Sequence, residues 1–471
     1  ALDAPRVLGA EGFVRCRLRP NEPSESLPLA DRYHIPNAAL DLNDPQAWMT
    51  RRAHGGAPLE TVPRTAWRFV DASHVTLDGS FRPGVIYDVV YRSVNPLLVG
   101  AGLLAIRDAA AFLRFGDAAS GNPCGGGSQT GRLLRHLLHL GLDQDEQGRQ
   151  VFDAVWPHVA GGRRGEFNIR YGQPSLNSHG TVGVLPPFND EGMFGHLRQR
   201  GSVPRVFSTN TSAEYWRGDA SLIHSDDTGV HDMAPAEFVR TYLFSSTQHT
   251  PGAIPAPPTD ANTGARGKHM FNIVDYAPLL RAALVNLEAW VRHGVEPPAS
   301  AYPRVVDGTA VLAESLGDFF RKLPGVTFPQ RVVRPSVLDF GPEMARGIPA
   351  YPPNADAKLQ AYVSAIDTDG NEVAGIKPVE LLAPLATFTG WNPRHPDQGA
   401  AGDLMQMRGS TLAFAQTRVA REKSGDPRPS VEERYASREA YLEARASHDR
   451  CLHVEGSGNR KRRHLDAATS N

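Results

Sequence analysis

The chain has 471 residues, 41% of them hydrophobic, with 50 Lys and Arg against 51 Asp and Glu. That length suits one elaborated domain or two to three smaller ones, with enough apolar content for a sizeable core. The balanced charge provides no field for nucleic acid or an anionic membrane, and no apolar run reaches the roughly eighteen residues of a membrane span, so a small molecule is the expected partner.

Cys16, Cys124 and Cys451 lie far apart with no C-x-x-C pair, which supports neither a disulfide framework nor a cysteine metal cluster. No charged n-region followed by an apolar h-region opens the chain, and no repeat of 20 to 50 residues recurs. In chain order, residues from Gly12 to Pro36 predict a short strand and a proline-bearing loop. "VIYDVVY", Val85 to Tyr91, is rich in β-branched and aromatic residues and predicts a strand stopped near Pro96. A helix follows, with Leu103, Ile106, Ala110 and Leu113 at helical spacing and Gly116 as its stop.

"GNPCGGGSQTGRLLRHLL", Gly121 to Leu138, then sets a glycine-rich turn before a helix carrying Leu133, Leu134, Leu137 and Leu138. A phosphate cradle of the form G-x-x-x-x-G-K-[ST] fits Gly126 and Gly131 but fails at both chemical positions. Arg132 stands for the lysine, and Leu133 for the metal-holding hydroxyl. A nucleophile elbow remains, with Ser128 lifted out of the backbone and Gly126, Gly127 and Gly131 giving it room. Thr130 occupies the usual second glycine's place, and an ordinary glycine-rich loop is the alternative for this stretch taken alone.

Further strands are expected at "VFDAVWPHVAGG", at Val203 to Thr209 and at Phe238 to Ser246, before a long amphipathic helix ending at Gly294. Strands alternating with helices predict an α/β fold with a mostly parallel sheet and flanking helices, whose ligands sit at the carboxyl ends of strands. From about Tyr302 the texture changes to a mixed β-hairpin and helix extension. It contains a hairpin around Asp369-Gly370 and a helix opened by a capping box of Ser430 and Glu433. The expected division is 1–300 catalytic domain, 301–446 extension packed on it, and 447–471 a disordered basic tail.

A serine nucleophile needs a general base oriented by a carboxylate, and in the hydrolase order these follow as Ser, acid, His, each just after a strand. Glu214 stands five residues past the predicted strand end at Thr209, with Asp219, Asp226 and Asp227 as competitors. His249 stands three residues past Ser246. Taken alone, Glu214 reads more readily as a surface or loop-anchoring acid and His249 as one of 17 histidines; their joint order behind an elbow favours a triad. A metal reading of His224, Asp226, Asp227, His231 and Asp232 lacks a helical i, i+4 histidine pair, and a polar loop is preferred; no metal or cofactor is expected.

The blocks "GGSQTGRLLRHLL", "VFDAVWPHVAGGRRGEFNIRYGQPS", "RVFSTNTSAEYW", "TQHTPG" and "GDPRPSVEERY" together resemble a family of large bacterial serine hydrolases described as α/β-hydrolase domain-containing proteins, over about Leu2 to Ala446. The resemblance implies an α/β-hydrolase fold and esterase chemistry, with Ser128 as nucleophile, Glu214 as acid and His249 as base, and the Gln129 N–H as one oxyanion donor. It also implies strands and an oxyanion loop ahead of the part where this chain starts, and an apolar strand directly before the elbow. The segment "DAASGNPCGGGS" has no apolar run, so that strand is expected to be missing. Losing three large buried side chains forfeits roughly 5 to 9 kcal/mol, which predicts a marginal fold or weak activity. A non-catalytic binding scaffold of the same fold is the rival reading.

Overall fold

The computed structural model describes residues 4–30, 35–116, 123–172, 182–261, 263–346, 349–355 and 358–454. Its first part is antiparallel. Glu11–Leu18, Ile86–Val94, Trp48–Arg52 and Glu60–Val62 form one sheet in that order, and Ser24–Pro28, His74–Phe81 and Trp67–Asp71 form a second. Alternate residues Val14, Cys16 and Leu18 point inward from the first strand, the two-residue period of a half-buried sheet. They meet Trp67, Phe69, Val75 and Phe81 of the facing sheet in one core, where each large side chain contributes about 1.5–3 kcal/mol. The strand read at Val85 to Tyr91 is therefore present as Ile86–Val94, but it belongs to this antiparallel addition and not to the parallel sheet.

The parallel sheet has four strands in the order Val239–Phe244, Arg205–Thr211, Ala154–His158, Pro123–Gly127. Neighbouring side chains along each strand face opposite layers. Val155, Val206 and Val239 pack with Leu134, Leu137 and Leu138 of helix Gln129–His139. Phe207, Tyr242 and Phe244 pack with Leu287 and Trp290 of helix Ala277–His293, which ends on Gly294 in the left-handed region. Helix Ala101–Phe115 lays Leu103, Ile106 and Ala110 on the first of these layers, whereas Leu113, predicted on the same face, is exposed in the last turn.

The strand expected to be missing before Ser128 is present. Pro123–Gly127 pairs in register with its neighbour, from Pro123 opposite Ala154 to Gly127 opposite His158. Its position explains its composition: among the described residues it is the edge of the sheet, with Gly125 and Gly127 exposed. An edge strand bonds through its backbone to one neighbour and tolerates proline at its first residue and glycine within. The apolar burial demanded of a central strand is not demanded here, and the estimated loss of roughly 5 to 9 kcal/mol has no basis in this fold.

Beyond residue 300 the chain is mixed. Ala386–Thr389 pairs with Ser410–Ala413, and Ala310–Val311 with Val363–Ser364. The predicted turn forms at Asp367 to Asn371, with Gly370 at φ 80° and the Gly370 N–H donating to the Asp367 carbonyl at 3.0 Å. The Ser430 and Glu433 capping box opens Val431–Arg434, but the backbone extends at Tyr435 and a separate helix, Arg438–Val454, follows. The expected tail therefore begins inside a helix, and its residues 455–471 lie outside the described ones. Among the described residues no helix is long and apolar enough to cross a membrane.

Candidate active site

The sheet's carboxyl ends carry the site. Pro123–Gly127 runs into Ser128, whose φ of 54° and ψ of −117° place a non-glycine residue in strained backbone before helix Gln129–His139 begins. Two bonds hold the bend: the Ser128 N–H donates to the His158 carbonyl at 2.9 Å, and the Arg132 N–H to the Ser128 carbonyl at 3.0 Å. The glycines give the clearance. A Cβ on Gly131 would stand 2.7 Å from the His158 carbonyl oxygen, and one on Gly126 would stand 2.7 Å from the Thr130 methyl. Gly127 has room for a Cβ, 3.8 Å from His158 Cδ2. Gln129 opens the helix, so its N–H has no intrahelical partner and is available to an anion beside Ser128.

Arg205–Thr211 ends two residues later than predicted, and helix Ser212–Trp216 follows at once. Thr211 and Glu214 form a T-x-x-E capping pair: the Thr211 N–H and hydroxyl donate to Glu214 Oε2 at 2.9 and 2.6 Å. That leaves Oε1 for His249, whose Nδ1 lies 2.6 Å away, while His249 Nε2 lies 2.9 Å from Ser128 Oγ. Ser128, His249 and Glu214 thus form one hydrogen-bonded chain, with Glu214 fully buried and His249 5% exposed. The Tyr276 hydroxyl donates to the His249 carbonyl at 2.6 Å and fixes that turn from the opposite layer.

The competing acids are engaged elsewhere. Asp219 takes the Arg217 guanidinium in two bonds, at 2.6 and 3.0 Å. Asp226 accepts from the Thr228 hydroxyl at 2.7 Å and lies 2.8 Å from His231 Nδ1, and Asp227 accepts from Asn189 at 2.9 Å. Asp232 receives the amides of Val305 and Val306, and the His224 ring lies tilted against Tyr302, 4.2 Å between centroids. Among the described residues no group of three or more His, Cys, Asp or Glu side chains is placed to hold a metal ion.

Burial opposes ionisation of Glu214, but the charge His249 carries when protonated, its hydrogen bond, then Arg217 and Thr211, outweigh it and hold the carboxyl down at about 2. An ionised carboxylate facing Nδ1 favours the neutral ring tautomer with its proton on that nitrogen, which leaves the unprotonated Nε2 facing Ser128 Oγ. Beside it, burial pushes His158 down to about 4, so that ring is neutral; its Nδ1 lies 2.8 Å from Thr209 Oγ1. Thr211 and Tyr276 were not singled out in the sequence. The T-x-x-E spacing could have found the first; nothing local could have found the second.

The family of this fold is now assignable. The sequence profile described as "Alpha/beta hydrolase domain" matches residues 65–456, and the chain belongs to that family. Membership makes it a hydrolase in class. No curated protein and no solved structure matches the chain.

Proposed function

We propose that the protein is a carboxylic ester hydrolase of small molecules, acting through an acyl-enzyme. The observation that carries the reading is the unbroken path from Ser128 Oγ through His249 to the buried Glu214 carboxylate, at 2.9 and 2.6 Å. His249 Nε2 takes the hydroxyl proton as Ser128 Oγ attacks the ester carbonyl carbon, and the Gln129 N–H faces the oxygen that gains negative charge. The tetrahedral intermediate collapses with its C–O bond breaking, and His249 returns the proton to the departing alcohol. Water then repeats the sequence on the acyl-serine, releasing the acid and restoring Ser128. Glu214 stays ionised throughout and stabilises the imidazolium.

A fluorophosphonate probe labels only an activated serine. The full chain is expected to label at Ser128 and to hydrolyse p-nitrophenyl acetate, and Ser128→Ala to lose both while melting as the parent does. Undiminished turnover by Ser128→Ala overturns the reading, and no labelling of the parent favours a non-catalytic scaffold.

A further inference from the structure

Glu372 lies outside the Ser128–His249–Glu214 chain yet touches both turns that build it. It follows the tight turn at Asp367 to Asn371 and is buried, 4% exposed. Its carboxylate accepts the Ser212 hydroxyl at 2.5 Å on Oε1 and the Ser246 N–H at 2.6 Å on Oε2. Its own N–H donates to Ser246 Oγ at 2.9 Å. Ser212 stands two residues before Glu214, and Ser246 three before His249.

The surrounding backbone makes this link rigid. The Ser245 N–H donates to the Ile376 carbonyl at 3.0 Å, and the Ile376 N–H to the Leu243 carbonyl at 2.7 Å, so residues 372–376 run bonded along the end of Val239–Phe244. Asn272 donates to the Ser246 and Thr389 carbonyls at 2.7 and 2.9 Å. The two partners of the Glu372 carboxyl, the Ser212 hydroxyl and the Ser246 backbone N–H, are neutral donors, and burial pushes that carboxyl up to about 7. A buried carboxyl bonded only to neutral donors is an expensive way to fill space, and what it obtains here is a fixed distance between two turns.

We propose that Glu372 is a positioning residue of the ester-hydrolysing site, tying the turn that carries Glu214 to the turn that carries His249. It sets the separation at which those two side chains hydrogen-bond. The inference rests on the roles proposed for Ser128, His249 and Glu214. A misplacement of about 1 Å in such a constellation costs on the order of 10²-fold in rate, so a small loosening is readable.

The test compares Glu372→Ala, Glu372→Gln and Ser212→Ala in the full chain, using p-nitrophenyl acetate turnover and the low-field proton resonance of His249 Nδ1–H. Glu372→Ala is expected to lower kcat about 10- to 100-fold with KM within about threefold, and to weaken that resonance. Glu372→Gln can accept from the Ser246 N–H and donate to Ser212 Oγ, so it is expected to recover kcat to within about threefold and to restore the resonance. Ser212→Ala removes one tie and is expected to fall between; it decides the matter if Glu372→Ala does not fold. A parental kcat and resonance in folded Glu372→Ala, or in Ser212→Ala should the former not fold, overturns the proposal, as does Glu372→Gln behaving like Glu372→Ala. If the parent neither hydrolyses ester nor labels at Ser128, the ester reading fails, while the resonance still decides whether Glu372 positions the pair.

Discussion

Glu214→Gln is the sharpest perturbation of the site, because the structure dictates how the new amide must sit. The Thr211 N–H and hydroxyl both reach Oε2, at 2.9 and 2.6 Å, and a backbone N–H can only donate. The amide oxygen must therefore face Thr211, which turns the NH₂ group toward His249 Nδ1 across a 2.6 Å contact. Two donors cannot face one another, so the ring's single proton moves to Nε2. There it points at Ser128 Oγ, 2.9 Å away, and the ring can no longer accept the hydroxyl proton. The same tautomer error in a Ser-His-Asp site costs about 10⁴ in kcat, or about 5 kcal/mol of transition-state stabilisation. The fold should persist, since Arg217 keeps its two bonds to Asp219. A carboxyl held low in the folded state contributes stability above its unfolded value, lost as pH falls toward about 2. The variant should accordingly melt below the parent at pH 7 and with it near pH 2. Turnover of p-nitrophenyl acetate, fluorophosphonate labelling rate and thermal melts make the assay. Retention of more than about a tenth of the parental kcat would refute the assigned role of Glu214.

Two further expectations follow from packing and burial. Gly131→Ala places a Cβ 2.7 and 3.0 Å from the His158 and Gly126 carbonyl oxygens, which are backbone and cannot step aside. It should cost about 1–3 kcal/mol in a thermal melt and on the order of 10²-fold in kcat, whereas Gly125→Ala, 3.9 Å from the nearest side chain, should cost little stability; equal losses would sink the argument. Asp143 is buried and accepts from the Phe152 N–H at 2.8 Å and the Ser202 hydroxyl at 3.0 Å, and burial pushes its carboxyl up to about 7. The folded chain then holds a proton that the unfolded chain has released, so this group lowers stability as pH rises from about 4 to about 7, by up to about 4 kcal/mol. Asp143→Asn keeps both bonds and should raise Tm at pH 8 but not at pH 4; the same shift at both would show that the carboxyl is ionised in the fold.

The residues proposed as nucleophile, acid and base could be picked out because each carries a local signal. Glycines precede a leucine-faced helix at Ser128, and Glu214 and His249 follow apolar runs in the hydrolase order. Strand limits moved by two residues, so Glu214 sits three past the observed strand end at Thr211, which left the ranking of acids intact. The strand before Ser128 was invisible for a physical reason: glycine has no side chain to carry a pattern, and its pairing with Ala154–His158 is all backbone. The two antiparallel sheets near the N-terminus were blurred because residues between the buried ones, such as Arg15 and Arg17, are only partly exposed. Glu372 was out of reach because its partners, Ser246 and Ser212, lie 126 and 160 residues away.

Those long separations bear on how the part beyond residue 300 relates to the site. An unpaired strand edge exposes a row of amides and carbonyls, and proteins commonly cover it. On the outer side of Val239–Phe244 the Leu243 N–H donates to the Ala301 carbonyl at 2.9 Å, and the Ile376 and Ser245 bonds continue the cover past the strand's end. The segment that continues this cover past the strand's end is the one that inserts Glu372 between Ser212 and Ser246. The end of that cover and the proposed tie between Ser212 and Ser246 therefore share one stretch of backbone. The glycine-rich edge at Pro123–Gly127 serves the opposite need, since a side chain on Gly126 would crowd Thr130. One edge of the sheet is kept bare at Gly126 beside the bend at Ser128, and the other ends in the segment that, as proposed above, ties Glu214 to His249.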